Sequence, residues 1–212
     1  MSREEMSKWR IDASKKVLVA ILLSLALVFP MCTITTRGSP GFVIWHGGFC
    51  HLHVSYWFNP HNAPACAQDA VKRAAAQWTA VNCSCFTLTE DGKTDHTYCQ
   101  IDGMNVVSFC TIDGPGGTLA RTRIEARSCK VFQDHMGTYH KVREVDIKFD
   151  CSEAWDCLRP CDPGFFDLET VAKHEFGHLA GLDHTLQPEI MRQGRRRCTI
   201  MDLQPSDMDG IR

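Results

Sequence analysis

Eleven residues, His174-Glu-Phe-Gly-His178-Leu-Ala-Gly181-Leu-Asp-His184, constrain this 212-residue chain more than any other stretch. On an α-helix, residues four apart share one face, so His174 and His178 can present their imidazoles to one metal ion with Glu175 beside them. A third imidazole cannot come from the next helical turn in the right direction. The chain must bend, and Gly181 can take the positive φ that such a bend needs. His184 then returns to the metal, and three neutral imidazoles leave one coordination position open, as in a catalytic zinc site. Zinc lowers the pKa of a coordinated water from about 15.7 to about 7, and Glu175 is placed to take its proton. With ten His and nine Glu in the chain, a bare His-Glu-x-x-His arises in about 2 of 100 shuffled sequences. Requiring Gly181 and His184 as well lowers that to below about 1 in 10,000.

Twelve cysteines, spread from Cys32 to Cys198, are too many for a reducing cytosol and imply cross-linked loops, although the pairing cannot be read from sequence. The first residues point to the same compartment. Met1 to Lys16 carries five Lys/Arg, and Val17 to Phe29 is an unbroken run of apolar and small residues, so residues 1–36 read as a signal sequence or an uncleaved signal anchor. Residues 37–49 read as a linker and 50–212 as a single domain. The net charge of −2 and pI near 6.5 give no electrostatic footprint for nucleic acid. The one dense basic run, Arg195 to Arg197, reads as a solvated loop.

Within the domain, Cys50 to Phe58 alternates like a first strand. Between Pro64 and Val81, Val71, Ala74, Ala75 and Trp78 recur at helical spacing, which predicts a helix facing a sheet, with Trp78 in the core. Short β-rich runs follow at Val106–Cys110, Thr118–Ile124 and Val142–Phe149. Asp167 offers an N-cap for a helix running to about Leu179, and Pro205 to Ile211 is at most a short helix.

These motifs together resemble the metzincin clan, and within it the matrixins, the family of matrix metalloproteinases. Besides the histidine motif, Thr111-Ile-Asp-Gly-Pro-Gly-Gly-Thr-Leu-Ala120, Lys148-Phe-Asp-Cys-Ser-Glu-Ala-Trp155 and Leu203-Gln-Pro-Ser-Asp-Met-Asp-Gly-Ile211 carry the likeness. The resemblance implies an α+β zincin fold with a small twisted mixed sheet, two main helices and a short C-terminal helix. It implies one catalytic zinc on His174, His178 and His184, with Glu175 as general base. It also implies a structural calcium on the carboxylates of Asp113, Asp150 and Glu153 and the carbonyls of Gly114, Gly116 and Thr118; oxygen donors of this kind suit calcium. The family's second zinc is expected to be absent, because its ligand positions hold Val106, Ser108, Arg121 and Lys148. His135 and His140 are expected on an inserted surface loop.

The family's methionine turn falls on Met191, with Met201 as the second candidate. The aromatic wall that usually follows it is replaced by Arg192-Gln-Gly194, so subsite preference does not transfer. Leu119 and Ala120 are expected on an edge strand that pairs with an extended peptide. The resulting expectation is a monomeric zinc endopeptidase acting on peptides or proteins, secreted or tethered to a membrane by its N-terminal segment. Two alternatives stand beside it: a zinc-containing peptide-binding module without turnover, and a disulfide-rich surface protein whose metal motif is accidental.

Overall fold

A computed structural model of the chain describes residues 43–44, 47–48, 53–98, 100–134 and 137–212, without the side chains of 43–48 and 126–141. The leader, most of the linker, Cys50 and His135 lie outside the described residues. Residues 37–212 form one compact unit, whose elements run β1 (Val43–Ile44), β2 (Gly47–Gly48), β3 (His53–Phe58), α1 (Ala67–Thr79), β4 (Thr87–Lys93), β5 (Val106–Cys110), β6 (Ala120–Asp134), β7 (Gly137–Asp150), β8 (Trp155–Asp156), β9 (Phe166–Asp167), α2 (Leu168–Leu179), β10 (Leu182–Asp183) and α3 (Pro205–Asp209).

Five strands follow the order β2-β7-β5-β3-β4, all neighbours parallel, and β6 pairs antiparallel with β7. The sheet is therefore mixed and the class α+β, as the sequence implied. Two helices cover one face. In α1 the buried stripe is Ala67, Ala70, Val71, Ala74, Ala75 and Trp78, the period of a helix packed by one side. Small alanines let α1 approach α2 closely, and the Trp78 indole N–H donates to the carbonyl of Lys173 on α2 at 2.9 Å. Beneath them Tyr56, Phe58, Val107, Phe109, Ile147 and Phe149 alternate inward from β3, β5 and β7 into one core.

Several boundaries differ from the sequence reading. Helix α1 starts at Ala67 instead of Pro64, because Pro60 to Pro64 is spent on turns. Strand β4 was not expected: Thr87-Leu-Thr-Glu-Asp-Gly-Lys93 buries one side chain, Leu88, too few to mark an alternation. The supposed inserted loop after Ile124 is instead a long antiparallel ribbon of β6 and β7, and His140 is a β7 residue paired with Val131 and Gly47. Its charged residues interrupt the alternation that would mark a strand in the sequence. One described disulfide, Cys66–Cys157, spans 91 residues and ties the start of α1 to the segment after β8. Cys83 is also disulfide-bonded.

Candidate metal centre

Helix α2 is set by its cap. The Asp167 carboxylate accepts the Thr170 N–H at 2.8 Å, satisfying one of the free donors of the first turn. The helix ends at Leu179, and Gly181 at φ 98° redirects the chain. That turn carries His184 back to His174 and His178, and the three Nε2 atoms stand 3.2 Å apart in all three pairs.

The other ring nitrogens decide what those Nε2 atoms are. His174 Nδ1 lies 2.7 Å from the Ile190 carbonyl and His178 Nδ1 2.8 Å from that of Leu182. A carbonyl only accepts, so each Nδ1 bears the proton and each facing Nε2 offers a lone pair. Burial, reinforced by His178, pushes His174 down to about 3, and burial lowers His178 as well. Such lone pairs, pointed at one another, repel unless a cation sits among them. Tetrahedral nitrogens about 2.1 Å from one zinc stand about 3.4 Å apart, close to the 3.2 Å found. The donor set therefore fits zinc, and its oriented Nδ1–H groups supply the second layer of such a site.

Glu175 is 5% exposed and lies on the cleft wall beside the triad. Burial pushes its carboxyl up to about 7, and the Thr122 hydroxyl of β6, donating to Oε2 at 2.5 Å, works in the opposite direction. A dication nearby would lower it further. Thr122 was not singled out in the sequence, since 53 residues separate it from Glu175.

Below the triad Met191 is buried and packs against Gly177 of α2, where a Cβ would collide with its sulfur. Met201 instead lies half-buried, its carbonyl accepting Lys173 Nζ. The Met191 turn is held from α3: Asp207 accepts the N–H groups of Ile190 (3.1 Å), Met191 (3.3 Å) and Gln204 (2.8 Å). Arg195, expected in a solvated loop, is half-buried, and its guanidinium donates to the carbonyls of Glu189, Ile190, Arg192 and Gly194. The sequence held no cue to the partners of Asp207 or Arg195, which are set only by the folded turn.

A cleft of about 710 Å³ runs along the triad, lined also by Gly116 to Thr122 and by Arg192 to Arg195. Ala120 opens β6, and Leu119, expected in the strand, lies just before it, its carbonyl accepting the Asp150 N–H at 2.8 Å. Among the described strands β6 pairs only with β7, which leaves its cleft-side edge open.

The loop before β6 fits a calcium ion only in part. Asp150 accepts the N–H groups of Ile112, Asp113 and Gly114, Glu153 Oε1 those of Gly116 and Gly117, and Asp113 both the N–H and hydroxyl of Thr118. The carboxylates thus fill themselves with loop amides, and Glu153 Oε2 is the buried oxygen without a partner. Nearby, Val106 and Ser108 are buried in β5, while Arg121 pairs across to Lys148 on β7.

A family model, Matrixin, matches residues 50–212. The chain belongs to the matrixin family. This matrixin is 30% identical over 179 residues to Metalloendoproteinase 1 of Glycine max, covering 79% of the chain and 51% of that relative. It is 31% identical over 151 residues to Stromelysin-3 of Rattus norvegicus, covering 68% and 26%. Against Neutrophil collagenase of Homo sapiens it is 28% identical over 159 residues, covering 73% and 30%. The matrixin chain thus spans about half or less of the length of these curated relatives.

Proposed function

We propose that this matrixin is a zinc-dependent endopeptidase in which His174, His178 and His184 hold the metal and Glu175 is the general base. The observation that carries the reading is the 3.2 Å triangle of three facing Nε2 atoms, those of His174 and His178 left unprotonated by their Nδ1 contacts to carbonyls, with a buried carboxylate next to it in sequence and lining the same cleft. Zinc, when bound, acidifies water and polarises the scissile carbonyl. Glu175 accepts the proton of the attacking water and returns it to the departing amine. Thr122 keeps the carboxylate aimed by holding Oε2.

The open edge of β6, from Ala120 onward, pairs with an extended peptide through main-chain hydrogen bonds, with Leu119 flanking it. An edge of this kind grips a chain on both sides of the cleaved bond, which favours endopeptidase over exopeptidase action. Met191 serves as a packing floor, and Asp207 fixes the turn whose Ile190 carbonyl orients His174.

Secretion, or tethering through residues 1–36, belongs to the same proposal and rests on the charged and apolar pattern of that segment. Among the described residues, no helix is long and apolar enough to cross a membrane. A structural calcium at the Asp113–Thr118 loop is also proposed, supported by the open Glu153 Oε2 and by the family likeness.

The test is hydrolysis of a quenched peptide library by the oxidised full chain and by Glu175→Ala. Turnover that disappears in the variant while zinc is retained supports the reading. Equal turnover in both, or none in either, rejects it; zinc without turnover would leave a peptide-binding module.

A further inference from the structure

The lining of the cleft is cationic, although the chain as a whole carries a net charge of −2. Three arginines line the cleft: Arg121 on β6, and Arg192 and Arg195 after the Met191 turn. Among the described residues, two carboxylates line it with them. Glu175 is occupied by Thr122, and Asp183 accepts the His184 N–H at 2.7 Å.

The two arginines after the Met191 turn differ in kind. Arg192 has its backbone fixed, through a bridge to Thr185 and a hydrogen bond to the Glu189 carbonyl, while its side chain is exposed. Arg195 is locked by carbonyls, so its charge is immobile and pre-aligned in that lining. Carbonyl partners hold a guanidinium without neutralising it. Asp207, the carboxylate whose field reaches Arg195, spends its oxygens on three backbone N–H groups. Among the described residues neither Arg192 nor Arg195 has a carboxylate in ion-pair contact. A fixed cation in a cleft wall attracts an anionic side chain and repels a cationic one, the simplest way to discriminate by charge.

Resting on the endopeptidase reading above, we propose that this matrixin selects peptides bearing an Asp or Glu side chain beside the scissile bond, with Arg192 as the contacting residue and Arg195 as a fixed supporting charge. The apolar remainder of the cleft, Val171 and Leu182 among it, accommodates the aliphatic part of a glutamate. A planar guanidinium suits a carboxylate by shape as well as sign.

The test uses the zinc-loaded full chain and peptides that differ only in Glu, Gln, Leu or Lys at each position flanking the cleaved bond. At low salt, kcat/KM for the best Glu peptide should exceed that of its Gln counterpart about fivefold or more, mainly through KM, and the ratio should shrink as salt rises. Arg192→Gln should bring the Glu-to-Gln ratio towards one, and Arg192→Glu should invert the preference so that Lys exceeds Glu. Equal cleavage of Glu and Gln peptides at every position by the unaltered protein would overturn the charge proposal while leaving the endopeptidase reading intact. Selectivity that survives Arg192→Glu would overturn the assignment to Arg192. Failure of the unaltered protein to cleave any peptide of the panel would instead overturn the endopeptidase reading on which the proposal stands.

Discussion

Gly177→Ala sets two effects of opposite sign against each other. In the interior of a helix, replacing glycine by alanine gains up to about 1 kcal/mol from backbone entropy. At Gly177, however, the added Cβ would collide with the Met191 sulfur, and would stand 3.1 Å from Met191 Cε and 3.2 Å from Trp78 Cζ2. Met191 and Trp78 are both buried in the core, so neither moves without disturbing neighbours. Overpacking costs about 1 to 3 kcal/mol, and a direct collision with a buried atom places this case in the upper part, about 2 to 3 kcal/mol, which outweighs the helical gain. The expected net loss is about 1 to 2 kcal/mol, or a fall in Tm of about 2 to 8 °C for a domain of this size. Thermal denaturation of the zinc-free oxidised protein measures it without the contribution of metal binding. A Met191→Ala background provides the internal control, because it removes the colliding sulfur and leaves only the Trp78 contact. There Gly177→Ala should be neutral or stabilising. A higher Tm for Gly177→Ala in the native background would refute the packing argument.

Three further outcomes follow from named contacts. Glu169 is buried between Arg73, Arg159 and Lys173 at 2.7 to 3.1 Å; burial opposes its ionisation, but these cations hold its carboxyl below the usual glutamate range. Its folded pKa being depressed, its contribution is present above about pH 4.5 and is lost as pH falls through the folded value. Glu169→Gln should therefore cost about 2 to 4 kcal/mol at pH 7 in urea titrations, with the difference from the parent shrinking below about pH 4.5. Asp207→Ala frees the Ile190 and Met191 amides and should weaken zinc binding about tenfold in a chelator competition, as losses behind the ligands do. Calcium at about 100 times its Kd should raise Tm by about 5 °C or more, and Glu153→Gln should remove that response.

What was legible in the sequence was local. His174, Glu175, His178, Gly181 and His184 lie within eleven residues, so helical periodicity and one glycine suffice to deduce their convergence. Asp167 as cap and the Ala74, Ala75 and Trp78 stripe were readable for the same reason. Contacts across the fold left no such trace. Thr122 meets Glu175, and Asp207 meets Ile190, only because separate elements pack together. The outer half of the β6–β7 ribbon escaped because charged residues interrupt the alternation in its sequence, and the Cys66–Cys157 pair because spacing does not encode pairing. Arg195 escaped for another reason. A basic run is ordinarily solvated, and only the turn after Met191 gathers the carbonyls that hold this one.

The most direct test of the account is to strip the oxidised full chain of metal and titrate zinc back while following peptide hydrolysis and bound metal together. Turnover should rise linearly to a plateau at one zinc per chain, and Glu175→Ala should bind the same single equivalent without turnover. Hydrolysis by the metal-free protein, or a saturated zinc site that cleaves nothing in the unaltered chain, would contradict it.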